Sequence, residues 1–148
     1  MIQIGELISK LETLIDSSDN RKLTFEDGKT VKGLGCYRGY YSDLALYTED
    51  HETSFSLKGW EGQEYTEKNP LYYSLKVEGD TAQDLLDALT KALGNDFDGW
   101  KGGENTMDKD TVLWKTLDRQ DCSDIGVTGI GQDFTSHDFI LLTKRTGC

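Results

Sequence analysis

Arg38 stands in the run Gly33-Leu-Gly-Cys-Tyr-Arg-Gly-Tyr-Tyr41, and further along the chain Lys101 stands in Gly99-Trp-Lys-Gly-Gly103. Each run sets one cation between glycines and large aromatics, in a chain whose formal net charge is -11. Glycine lets a backbone approach a ligand closely. A guanidinium or ammonium pairs with phosphate or carboxylate, the guanidinium through paired hydrogen bonds. An aromatic ring adds a flat stacking face. The chemistry common to both runs is the binding of a small, planar, anionic molecule. Arg38 would clamp the anion against a wall built from Tyr37, Tyr40 and Tyr41. Lys101 and the amides of Gly102 and Gly103 would cradle it, with Trp100 as stacking face. Asn105 and Thr111 would add neutral hydrogen bonds.

Each of these residues also has a structural reading. Tyr-Arg-Gly-Tyr-Tyr could be a strand and turn with half-buried tyrosines and Arg38 paired to an acid. Three tyrosines within five residues cannot all face one side of a regular strand, however, so at least one is exposed or in a turn. Trp-Lys-Gly-Gly could be a helix-to-strand connection in which Trp100 covers the core edge. It lacks the spacing of a P-loop and of a dinucleotide-binding turn. Asp108 and Asp110 do not fit an EF-hand, which needs glycine at its sixth position and glutamate at its twelfth, and read as acidic turn residues. Trp114 reads as core. His51 lies between Asp50 and Glu52, and His137 precedes Asp138, but neighbours in sequence do not converge on one point, and no HExxH spacing is present. With no Gly-x-Ser-x-Gly elbow and no cysteine in a nucleophile signature, the residues offer no positive case for an enzyme, a metal centre or a cofactor.

The elements that must position these runs follow from periodicity. Ile4, Leu7, Ile8, Leu11, Leu14 and Ile15 recur at three-four spacing and predict a helix over about residues 3–16. Leu85, Leu86, Leu89 and Leu93 predict a second helix over Ala82–Leu93, opened by a Thr81/Asp84 capping box and closed by Gly94. Strand patterns occur at Lys22–Phe25, Asp43–Tyr47, Tyr72–Val77, Asp124–Ile130 and Phe139–Thr143, the last expected to be central. Turn signals too closely spaced for helical crossovers point to an α+β fold with a mainly antiparallel sheet and two amphipathic helices packed on it. At 148 residues one domain is expected over 1–148. Both halves share a helix, a Phe/acid/Gly turn and a cationic run, a layout that duplication or chance could produce.

Composition narrows the function classes. With 27 acidic against 16 basic residues, the overall field repels duplex nucleic acid and anionic membranes. The same charge would suit a DNA mimic aimed at a basic protein, although the acids are scattered and the densest stretch, from Glu49 to Glu67, reads as a solvated loop. No long apolar run or signal-like leader is present, which predicts a soluble, cytoplasmic protein. Cys36, Cys122 and Cys148 are odd in number and lack metal-site spacing, so free thiols are expected.

The segments Gly35–Leu46 and Gly99–Trp114 resemble a family of small phage-encoded accessory proteins. These carry Tyr-Arg-Gly-Tyr-Tyr followed by Leu-Ala, and later Gly-Tyr-Lys-Gly-Gly followed by Met and by Thr-Pro-Val-Trp. The helix from Thr81 to Leu93 fits the same resemblance. The chain departs from it with Trp100 in place of the tyrosine and Val112-Leu113 in place of Pro-Val. What the resemblance implies is origin more than activity. By analogy of strategy, a phage accessory protein of this kind would sequester a nucleotide signal of host defence, such as a cyclic dinucleotide or cyclic ADP-ribose derivative, without turnover. Sites of that sort are often shared between subunits, which adds a homo-oligomer to the expectations. The competing readings are a phosphodiesterase that degrades such a signal and the acidic DNA mimic.

Overall fold

The apolar stripe near the N-terminus forms helix α1, Ile4–Ser18, in the computed structural model, which describes residues 1–36, 43–48, 73–94, 108–116 and 124–146. Ile4, Leu7 and Leu11 are fully buried, and Ile8, Leu14 and Ile15 pack half-buried beside them. No side chain caps its start. Instead the Ile4 and Gly5 amides donate to the carbonyls of Thr111 (2.9 Å) and Lys109 (2.9 Å), so a turn distant in sequence satisfies the first N–H groups. Gly5 eases that approach, because a Cβ there would stand a tight 3.0 Å from the Lys109 Cβ. The second helix, α2, spans Ala82–Leu93 as expected and has the full capping box: Asp84 N–H donates to Thr81 Oγ1, and Thr81 N–H to the Asp84 carboxylate. Gly94 caps it with φ -81°, so this cap does not use the left-handed freedom of glycine.

Among the described residues seven strands form one sheet: β1 Leu23–Phe25, β2 Gly33–Cys36, β3 Asp43–Tyr47, β4 Tyr73–Lys76, β5 Val112–Thr116, β6 Ile125–Gln132 and β7 Phe139–Arg145, in the spatial order β1-β7-β6-β5-β3-β2-β4. The pairs β2/β3, β2/β4, β5/β6 and β6/β7 are antiparallel, and β1/β7 and β3/β5 are parallel. The protein is therefore an α+β fold with a mostly antiparallel sheet, and β7 lies inside the sheet. One expectation needs correcting: α2 and β4 lie in the crossover from β3 to its parallel neighbour β5, so one helical crossover is present.

Both helices pack against each other, with α2 against β2 and β4 and α1 against β6. Their apolar faces meet Leu34, Leu44, Leu46, Leu75, Leu113, Val127, Phe139 and Leu141 from the sheet in one core. Alternation sends Ala45, Tyr47 and Trp114 to the opposite face, where they are buried too, so β3 and β5 are covered on both sides. Gly33 faces Tyr47 in the register, and a Cβ at Gly33 would run into the Tyr47 ring. The Met1–Gln3 segment enters where β5 and β6 part, with Ile2 N–H donating to Val127 O (2.8 Å) and Leu113 N–H to Ile2 O (3.1 Å). No described helix is long and apolar enough to cross a membrane.

Across the sheet, Lys115 Nζ lies 2.7 Å from Asp27 Oδ2 and 4.8 Å from the centre of the Phe25 ring. Partial burial pushes the Asp27 carboxyl up, but the hydrogen bonds from Lys115 and from the Lys29 amide prevail and hold it below its ordinary value. A depressed carboxylate stabilises the fold above its unfolded pKa, and that contribution is lost as pH falls through the folded pKa. Asp27→Asn should therefore lower stability at neutral pH by under about 1 kcal/mol, the range of a half-exposed pair. The difference from the parent should vanish at the acid end of a pH series of urea melts, where Asp27 is protonated.

Candidate functional site

The runs that make up the expected site precede β3 and β5 in the chain. Of its residues, Tyr37, Arg38, Tyr40, Tyr41, Trp100, Lys101, Gly102, Gly103 and Asn105 lie outside the described residues, and only Thr111 is within them. His51, Met107, Cys122 and Cys148 also fall outside. What the structure fixes is the framework from which both runs depart.

Residues 37–42 connect Cys36, the end of β2, to Asp43, the start of β3. The second run lies in the connection from Leu93, the end of α2, to Val112, the start of β5. The strands β3 and β5 are adjacent and parallel, with Asp43 opposite Val112 and Leu44 opposite Leu113. Neighbouring strands stand about 4.8 Å apart. The first run thus delivers the chain into one strand, and the second into its immediate neighbour, at the same end of the sheet. The buried Leu44 and Leu113 hold this register from the helix side, and Ala45 and Trp114 hold it from the other. The two connections are not equivalent, one joining antiparallel neighbours and the other entering a parallel pair, which gives no support to an internal duplication.

Thr111 anchors the entry to β5. It is 4% exposed, its Oγ1 accepts the Asp108 amide (3.0 Å), its own amide donates to Asp108 O (3.1 Å), and its carbonyl accepts from Ile4. Asp108 Oδ1 in turn accepts the Asp110 amide (2.8 Å). Asp108 and Asp110 are thus turn residues, as the sequence suggests, and Thr111 ties the turn to the start of α1. Its hydroxyl proton is the part left for a ligand contact.

The helix N-termini are committed elsewhere. Beyond the α1 contacts to Thr111 and Lys109, the first amides of α2 donate to Arg21 O (2.8 Å), Asn20 Oδ1 (2.9 Å) and Thr81 Oγ1 (3.3 Å). The first amides of both described helices are thus spent within the fold rather than turned to an anion. Among the described residues no group of three His, Cys, Asp or Glu side chains could hold a metal ion.

Two grooves among the described residues lie away from this end of β3 and β5. One, of about 350 Å³, lies at the end of β4 away from Cys36, between Lys76, Glu78 and the α2 residues Asp84, Asp87 and Lys91. Its signs are mixed, and Asp84 and Asp87 are engaged within α2 by Thr81 and Gln83. The other, of about 300 Å³, lies between α1 and β6. His137 sits exposed in the β6–β7 turn with φ 65°, its amide donating to Asp133 O (3.0 Å).

No family model matches the chain, and no curated protein and no solved structure matches it.

Proposed function

We propose that this protein binds and sequesters a small nucleotide-derived signal of the cyclic dinucleotide or cyclic ADP-ribose type, without turning it over, as a phage counter-defence protein acting in the host cytoplasm. The observation that carries the reading is the register of Asp43 with Val112, which starts two neighbouring strands at one place. Arg38 stands five residues before Asp43, and Lys101 seven before Asp108. At about 3.3–3.6 Å per residue, both cations are within reach of a common ligand at that end of the sheet. Arg38 would take the phosphates bidentately, Lys101 and the glycine amides would complete the anion's shell, and the tyrosines and Trp100 would stack on the bases. Sequestration asks only for affinity, which these residue types supply.

The test is to incubate the purified protein with a panel of cyclic dinucleotides and cyclic ADP-ribose derivatives, separate bound from free ligand, and analyse both by chromatography before and after heat denaturation. Stoichiometric uptake and intact release are expected. New products accumulating with time would replace sequestration with a phosphodiesterase activity. Absence of uptake across the panel, together with salt-sensitive capture of a basic protein, would favour the DNA-mimic reading.

A further inference from the structure

The turn between β6 and β7 carries the most exposed large apolar residue among those described: Phe134 is 98% exposed. Lone exposed apolar residues are common, but this one is mounted on an unusually well-tied turn. Asp133 Oδ1 accepts the amides of Thr135 (2.7 Å) and Ser136 (3.0 Å), Asp133 N–H donates to Asp138 O (2.8 Å), and Gln132 Nε2 donates to His137 O (2.7 Å). Asp138 N–H donates to Ser136 Oγ (3.2 Å), and Arg21 ties the turn to the end of α1 through Ser136 O (3.5 Å) and Ser18 O (3.1 Å). Holding His137 at positive φ adds local strain that these bonds offset. The turn backbone that carries Phe134 is thus preorganised, so docking need order only the two torsions of the phenyl side chain, and an aromatic group is a strong interface anchor.

The groove between α1 and β6 matches it. Leu14 and Ile130 supply its apolar lining and Ser9, Lys10 and Thr13 its polar rim, and its volume of about 300 Å³ accommodates a phenyl ring. Phe134 follows Ile130 by only four residues, so knob and groove lie within about 14 Å of each other along the chain. Charge matches as well: the turn that carries the knob also carries Asp133, next to Phe134 in sequence, and Asp138, with the Asp133 carboxyl held below its ordinary value by the Ser136 and Thr135 amides, and the groove presents Lys10. A knob and a groove placed side by side on one copy are satisfied reciprocally across a two-fold axis.

We propose that a second copy of this chain occupies the groove, each protomer's Phe134 entering the partner's groove between α1 and β6 and Lys10 meeting the acids beside the phenyl ring. Two phenyl groups bury less than a standard interface, so the dimer is reversible, with a Kd on the order of micromolar.

Sedimentation equilibrium of the full chain over a concentration series tests this. The parent should show a monomer–dimer equilibrium. Phe134→Ala, which removes only exposed surface, and Ser9→Trp, which fills the groove from an exposed position, should each weaken it by at least about a hundredfold while leaving the circular dichroism spectrum, and the Tm measured at concentrations below the parent's Kd, unchanged. Mixing the two variants restores one intact knob and one intact groove, and native mass spectrometry should then detect heterodimers. A parent that stays monomeric up to about 1 mM overturns the proposal, as does a Phe134→Ala variant that dimerises like the parent. A Ser9→Trp variant that dimerises normally overturns it too, since the phenyl ring would then dock elsewhere.

Discussion

Phe139→Ala should cost about 3–5 kcal/mol, the largest stability loss expected from a single truncation in this protein. Phe139 is 0% exposed and opens β7, an interior strand paired on one side with β1 and on the other with β6. Its register partners are Leu23, which is buried, and Gln132, and its amide donates to Lys22 O (2.9 Å). Truncation leaves the backbone bonds in place but opens a cavity in the core, and the sheet on both sides limits how far the walls can collapse into it. Against a total stability of roughly 5–15 kcal/mol the loss is severe. At about 1–3 kcal/mol per molar urea, the unfolding midpoint should fall by about 2 M. Leu142→Ala, on the same strand but 40% exposed, is the control and should cost less than about 1.5 kcal/mol. Equal losses at the two positions would contradict the assignment of the strand's faces.

The second large effect concerns the ligand. On the proposed function, Arg38→Ala should weaken cyclic-nucleotide uptake at least about a hundredfold, because it removes a charge and the paired hydrogen bonds that a guanidinium can offer. Arg38→Lys keeps the charge but loses the planar fork, and should recover only part of the affinity. Lys101→Ala, a point charge, should cost about tenfold. Isothermal titration of each variant with the panel member that the parent retains provides the comparison, with Tm as the check on folding. Undiminished affinity in Arg38→Ala would remove Arg38 from the site.

The two helices are legible in the sequence because their signals are local. The leucine spacing and the Thr81/Asp84 pair set both the position of α2 and its first turn, whereas α1 runs three residues beyond the last apolar residue of its stripe, Ile15, to Ser18, with Asp19 at φ 76° ending it. Strands with apolar alternation are legible for the same reason, and β3 matches its predicted bounds. The strands β2 and β5 are missed. Gly-Leu-Gly-Cys has no β-branched residue, and a side chain at Gly33 would run into the Tyr47 ring, a contact set by pairing rather than by local preference. Val112–Thr116 follows directly on a run of turn residues, and its apolar signal, Val-Leu-Trp, is short. The parallel registers β1/β7 and β3/β5 join residues distant in the chain and leave no periodicity to read. The same holds for the start of α1, whose caps come from the 109–111 turn. For the site, residue chemistry nominates the two cationic runs, but only the Asp43–Val112 register bears on whether they serve one ligand.

The central claim is that these two runs meet. Spin labels at Gly39→Cys and Gly102→Cys, in a background with Cys36, Cys122 and Cys148 replaced by alanine, measure it without knowledge of the ligand. A distance distribution centred below about 20 Å, the span of a small-ligand pocket of several hundred Å³, is the result expected, and one centred beyond it would contradict the account.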